Sequence, residues 1–242
     1  MNAHSGYIRY HERAGALAFQ SLQIPDELAL AQTNPDQWLN PNDRANVTAG
    51  LDHFNKARDL GLLTNADALP KLAWFEYLSG KTPRALELLA IAAEHQTGQG
   101  KALSLYYRGA ILNRMKRPEE AIVSLEQAIL ERPDMATARE ERGESLWLMG
   151  RKDDAVLAWN DAVRASTRLP LAYNFLAGSA ATVGKPDAAS AYERQADQNT
   201  PSDAHFHWML GIRLKNVGMN EQAEKHFNKA IQLNPSFRSR RN

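Results

Sequence analysis

The sequence predicts an all-α chain, an α-solenoid of antiparallel helix pairs. Three observations predict it. Small residues recur every 34 positions, a glycine and an acidic or proline-bearing break recur between them, and a proline closes most copies. The stretch RGAILNRMKRPEEAIVSLEQAILERPD, from Arg108 to Asp134, shows one whole unit.

Counted in steps of 34 from Ala102, the copies open at Ala136, Pro170 and Ala204. Their eighth position reads Gly109, Gly143, Ala177 and Gly211. The twentieth reads Ala121, Ala155, Ala189 and Ala223, and the twenty-seventh Ala128, Ala162, Ala196 and Ala230. A fifth copy fits upstream from Ala66, with Ala73, Ala85 and Ala92 in the same slots, and meets the next after an insertion, Gly100 and Lys101. A larger side chain at these slots would push paired helices beyond the usual separation of about 8–10 Å. Leu112, Leu125, Leu146, Trp159 and Phe227 fill the space around them.

Within each unit, Gly80, Gly150, Gly184 and Gly218 suit a left-handed residue after the first helix. TPRA, RPEEA, KPDAA and NEQA then open the second. Proline is tolerated in a first turn, and acidic residues there oppose the positive end of the helix dipole. Pro133, Pro201 and Pro235 end second helices, because proline cannot continue one. The unit recurs because a single helix pair cannot bury its own apolar face.

These slots and breaks resemble the tetratricopeptide repeat family, over about 170 residues from Ala66 to Pro235. The chain departs from the family pattern where Arg108 and Arg142 replace the apolar residue before the glycine. It departs again at Glu193, where other copies carry Trp159 or Phe227, and looser packing is expected in that repeat. The resemblance implies a right-handed superhelix with five repeats, 66–99, 102–135, 136–169, 170–203 and 204–235. The first helices would line its concave side. On that geometry the inner face carries Lys71, Trp74, Tyr77, Tyr106, Tyr107, Asn113, Arg114, Glu140, Glu141, Glu144, Trp147, Asn174, Phe175, His205, Trp208, Met209, Lys215 and Asn216. This implies an aromatic groove with an acidic middle, suited to an extended protein segment with basic or amide-rich character. The family's clamp for C-terminal carboxylates is not matched: Tyr106, Ala110 and Glu141 stand in its Lys and Asn slots.

Residues 1–65 do not repeat cleanly. YIRYHERAGALAFQSL reads as an amphipathic helix, and Pro25 and Pro35 break the chain after it. DRANVTAGLDHFNKARDLGLL reads as a second helix, with Gly50, Phe54 and Ala57 spaced as in a second repeat helix. The region is expected to cap the stack with degenerate repeats. At the other end only a short basic tail, 236–242, follows Pro235. Phe227, Ile231 and Leu233 are therefore expected to offer apolar surface, which either self-association or a further part of a longer chain would cover. Arg238, Arg240 and Arg241 read as a solvated tail.

Composition narrows the function. Net charge is +1, so no global field draws the chain to nucleic acid or anionic lipid. There are no cysteines, which removes disulfides and thiolate chemistry. No apolar run approaches the roughly 18 residues of a membrane span, and direct membrane insertion is not expected. MNAHSGYIRYHERAGALAFQ lacks the pattern of a secretory signal. The compartment expected is the cytoplasm, or the periplasm for a fragment of a larger envelope protein.

Candidate chemistry is sparse. TGQGK, Thr97 to Lys101, lacks the first glycine and final Ser or Thr of a phosphate loop and reads as an inter-repeat loop. His205 and His207 do not share a helix face, and His226 does not complete a metal site with them. The pairs Glu119–Glu120 and Asp153–Asp154 sit at helix starts and have a dipole role. No catalytic residue, metal or cofactor is expected. The reading is a non-catalytic scaffold for protein interaction. The alternative is a periplasmic module of a larger envelope protein that serves glycan assembly or export.

Overall fold

The computed structural model describes residues 2–31, 34–59 and 67–240. Ala66 and Arg241, which figure in the sequence reading, lie outside them. The described residues form thirteen α-helices and two 3-10 turns. The helices are α1 (Asn2–Gln20), α2 (Asp26–Ala31), α3 (Pro41–Asp59), α4 (Ala68–Leu78), α5 (Thr82–His95), α6 (Gly98–Arg114) and α7 (Pro118–Glu131). They continue as α8 (Ala136–Leu148), α9 (Lys152–Ala165), α10 (Pro170–Thr182), α11 (Pro186–Asn199), α12 (Ala204–Asn216) and α13 (Asn220–Leu233). The turns span Pro35–Trp38 and Pro235–Arg240. The chain divides into two compact units, one of residues 1–111 and 130–132, the other of 112–129 and 133–242.

The breaks between paired helices share one hydrogen-bond pattern. After α8, the N–H of Gly150 donates to Trp147 O at 3.0 Å and that of Arg151 to Leu146 O at 2.9 Å. Gly80, Gly184 and Gly218 repeat the arrangement, and all four glycines have positive φ, between 70° and 82°. After α6 the same place is taken by Lys116, at φ 58°. Of TGQGK only Thr97 lies in the loop; the rest opens a helix. Gly98, Gly100 and Lys101 form the first turn of α6, and Glu131 accepts from both Gly98 N, at 3.2 Å, and Lys101 Nζ, at 2.8 Å.

In the first unit α4 pairs with α5, and α1 pairs with α3. A Cβ on Gly15 would lie 2.9 Å from the Phe54 ring. Gly143 stands against Trp159 and Gly211 against Phe227 in the same relation. The helix pair α1–α3 thus packs like the later ones, with residues 21–40 inserted between its helices. The insertion is anchored at both ends. Asn40 Oδ1 caps α3 by accepting from Asp43 N at 2.8 Å, and Asp43 Oδ1 accepts from Gln23 N at 2.6 Å. Leu28, Ala29, Leu30 and Ala31 of α2 are buried, and Tyr77 Oη donates to Ala29 O at 3.1 Å.

In the second unit α8 pairs with α9, α10 with α11 and α12 with α13. Ala136, Ala162, Leu169 and Ala172 form a small-residue core joining successive pairs. Trp159 stacks on Phe175 with centroids 4.8 Å apart. In α11 only Ala189 and Ala196 are buried, which matches the looser packing expected where Glu193 replaces an aromatic. The last pair corrects the expectation of an open end. The turn Pro235–Arg240 folds back and buries Phe237, whose ring lies 5.1 Å from Trp208 and 5.0 Å from His205. Arg240 lies over that ring at 5.7 Å. Phe227 is buried against Gly211 and Trp208, Ile231 is half-buried, and Leu233 stays exposed.

Candidate functional site

In the second unit the first helices of repeats two apart meet. Arg213 of α12 donates to Glu141 Oε1 and Glu144 Oε2 of α8, each at 2.6 Å. Arg114, in the last turn of α6, bonds the same pair, reaching Glu141 Oε2 at 3.2 Å and Glu144 Oε1. Asn113 Nδ2 donates to Glu141 at 3.0 Å, and Asn113 Oδ1 accepts from Ser145 Oγ at 2.7 Å. All six side chains are buried. Two guanidiniums thus face two carboxylates in the interior, where an unpaired charge is costly. Burial works to raise Glu144, but the two arginines outweigh it and hold its carboxyl below the ordinary range.

Glu140, one residue from this cluster, behaves in the opposite way. Its Oε2 accepts from Ala172 N at 3.0 Å. Burial pushes its carboxyl up to about 8, with Arg213 opposing and Glu141 adding to the rise. The acidic middle foreseen in the groove is therefore internal. Arg114 and Arg213 stand where a basic ligand was expected.

The other inner-face residues of this unit are mostly committed too. Phe175, Trp208 and Met209 are buried, and Trp147 Nε1 donates to Val217 O at 2.9 Å. Asn216 O accepts from Lys116 Nζ at 2.5 Å. Asn174 Oδ1 faces His226 Nε2 at 2.9 Å, and His226 Nδ1 faces His207 Nδ1 at 3.0 Å. Asn174 Nδ2 is held by Pro170 O at 2.8 Å, so its oxygen points at the imidazole. His226 must then carry its proton on Nε2, and His207 donates from Nδ1. Only His205 and Lys215 of the foreseen set are exposed.

In the first unit the aromatic residues do gather at an opening. A cavity of about 540 Å³ is walled by Phe19, Leu22, Ile24, Trp74, Leu103 and Tyr107, with Lys71, Asp26 and Asp67 around it. Trp74 lies 5.1 Å from Tyr107, and Tyr106 is 5.3 Å from Tyr107 on the same helix. Tyr107 Oη donates to Asp26 Oδ2 at 2.5 Å. Burial, then the nearby Asp26 carboxylate, keeps Tyr107 protonated. Asp26 is open to solvent on one side and walled by protein on the other. Its partial burial raises its carboxyl, against the Tyr107 hydrogen bond, and Glu27 adds to the rise. Lys71 Nζ donates to Asp67 O at 2.8 Å. Lys71, Trp74 and Tyr107 are thus brought together, while Tyr77 is held beneath them by α2.

Sequence reasoning missed Arg213 and Asp26. Arg213 occupies the tenth slot, where other copies carry Phe75, Ile111, Ser145 and Ser179. A lone arginine in that series was the available signal. Asp26 lies in the insertion, which has no counterpart in the repeat frame.

The fold and its slots define an α-helical repeat protein. Residues 114–170 match the tetratricopeptide repeat family, and so do residues 204–237. These matches place tetratricopeptide repeats in those two stretches of the chain. No curated protein matches the sequence. Among solved structures it is similar to MamA, at 20% identity over 66% of this chain and 95% of that one, with a TM-score of 0.58. A tetratricopeptide repeat protein from Parabacteroides merdae ATCC 43184 aligns at 18% identity over 82% of this chain and 81% of its own, with a TM-score of 0.57. The APC/C hetero-tetramer Cut9-Hcn1 aligns at 14% identity over 78% of this chain but 37% of its own, with a TM-score of 0.58. At these identities the likeness is one of fold. No helix among the described residues is long and apolar enough to cross a membrane.

Proposed function

We propose that the protein is a non-catalytic interaction scaffold that holds a segment of a partner protein in the cavity of its first unit. One observation carries this reading. Lys71, Trp74 and Tyr107 converge on an aromatic-walled opening of about 540 Å³, while the inner face of the second unit is filled by its own arginines and aromatic rings. A cavity of that size with mostly apolar walls and few polar groups is what a pair of side chains from a partner requires. The tetratricopeptide repeats matched at 114–170 and 204–237 support the broader role, since stacked helix pairs present extended binding surfaces.

The test uses two baits for capture from the lysate of the source cells, wild type and Leu103→Arg. Leu103 is exposed at the cavity wall, so the added charge blocks the opening without removing core. Circular dichroism first establishes equal helicity. Proteins retained by wild type and lost from the variant support the reading. Equal recovery by both baits would overturn it.

A further inference from the structure

The cavity in the first unit also has a charge character. Asp26 lines it at the start of α2, Glu27 follows it in the chain, and both are exposed. Asp26 is oriented by the Tyr107 hydroxyl on one oxygen, and among the described residues no cation pairs with Asp26 or Glu27. Asp26 and its chain neighbour Glu27 thus set two exposed carboxylates without a cation partner among the described residues beside an apolar wall of Phe19, Leu22, Ile24, Trp74 and Leu103.

Resting on the reading of this cavity as the partner site, we propose that its occupant is a segment in which bulky apolar side chains are followed directly by lysine or arginine. The apolar side chains enter between Trp74 and Leu103, and the cation meets Asp26 and Glu27. Opposite charge at such a rim governs partner choice and encounter rate, and like charge is rejected. Acidic segments and anionic surfaces are disfavoured for the same reason.

The probes are three fluorescein-labelled, amidated peptides, GSLFLKKGS, GSLFLQQGS and GSLFLEEGS, titrated into the whole chain at low and at physiological salt. The expected order of affinity is Lys, then Gln, then Glu, with about tenfold or more between the extremes at low salt and less at high salt. Asp26→Asn/Glu27→Gln keeps an acceptor for Tyr107 and should collapse the three affinities together. Equal affinities for wild type, or a preference for the Glu peptide, overturn the charge assignment. If those equal affinities vanish in Leu103→Arg, the cavity still stands as the partner site. Absence of binding by all three peptides at millimolar concentration overturns the inference, and the paired-bait result then decides separately whether the site itself stands.

Discussion

Arg213 on α12 donates to Glu144 on α8, 69 residues earlier in the chain, with both side chains buried. This contact closes the inner face of the second unit by joining first helices of repeats two apart. Arg213→Met removes one cation and leaves Glu141 and Glu144 sharing only Arg114. Breaking a buried ion pair in this way costs about 3–5 kcal/mol. Urea denaturation followed by the fluorescence of Trp147, Trp159 and Trp208 should show a loss of that size. Neutralising all four groups, as Arg114→Met/Glu141→Gln/Glu144→Gln/Arg213→Met, should recover most of it. A small loss in the single variant would mean that the cluster is hydrated rather than dry.

The same cluster makes stability depend on pH through Glu140. Its folded value of about 8 stands well above the ordinary carboxylate value of 4.5. Between these two values the folded state holds a proton that the unfolded chain has released. The stabilisation is therefore complete below 4.5, falls as pH rises toward about 8, and is gone above it. The slope within the window is about 1.4 kcal/mol per pH unit at most. Glu140→Gln keeps an oxygen for Ala172 N and does not titrate. Its stability curve should be flat where that of wild type declines, so that the variant is the more stable protein at pH 9. Parallel curves for the two proteins would remove Glu140 as the source.

His226 works in the other direction. Burial, then His207 and Lys225, lower it from 6.5 to about 4. The imidazole stays neutral in the fold while the unfolded chain gains a proton, so stability falls as pH drops through that window. His207 is lowered as well, by burial and then Lys229, with Asp197 and Asp203 opposing. Thermal melts between pH 7 and pH 4.5 should show a progressive loss for wild type. The loss should be smaller for His226→Gln, which cannot titrate. Proton NMR titration should also find one imidazole that remains neutral at pH 5. Ordinary titration of all seven histidines near 6.5 would contradict the hydrogen-bond chain.

The helix pairs were legible because their physics is local. A small slot at Gly143 opposite a large one at Trp159, and a glycine at the turn, need only neighbours within one unit. The same rule reaches α1 and α3 through Gly15 and Phe54, although the chain between them hides the repeat. Lys116 shows its limit, since a lysine there takes the left-handed turn that glycine takes elsewhere. The groove was less legible. Slot arithmetic places Glu141, Glu144 and Trp208 on first helices, but not how closely α8 and α12 approach. That approach turns an open acidic face into a buried ion cluster. The cavity of the first unit depends on Ile24 and Asp26, from an insertion that no repeat slot can locate.

The C-terminal turn gives a final prediction, because it decides whether the last repeat is open. Phe237 is 2% exposed and lies against Trp208 and His205, with Arg240 above it. Phe237→Ala removes this cover and uncovers Trp208 near the already exposed Leu233. Truncating a buried phenylalanine costs about 3–5 kcal/mol where the site cannot collapse. The site lies at the edge of the last repeat, so the loss in global stability should fall at or below the lower limit. The newly open apolar surface is the greater effect. Light scattering after size exclusion should show an apparent mass that rises with protein concentration for Phe237→Ala more steeply than for wild type. Phe237→Leu keeps most of the apolar cover and should behave as wild type does. If Phe237→Ala keeps the wild-type mass at every concentration, the turn serves stability alone and the end of α13 is no latent interface.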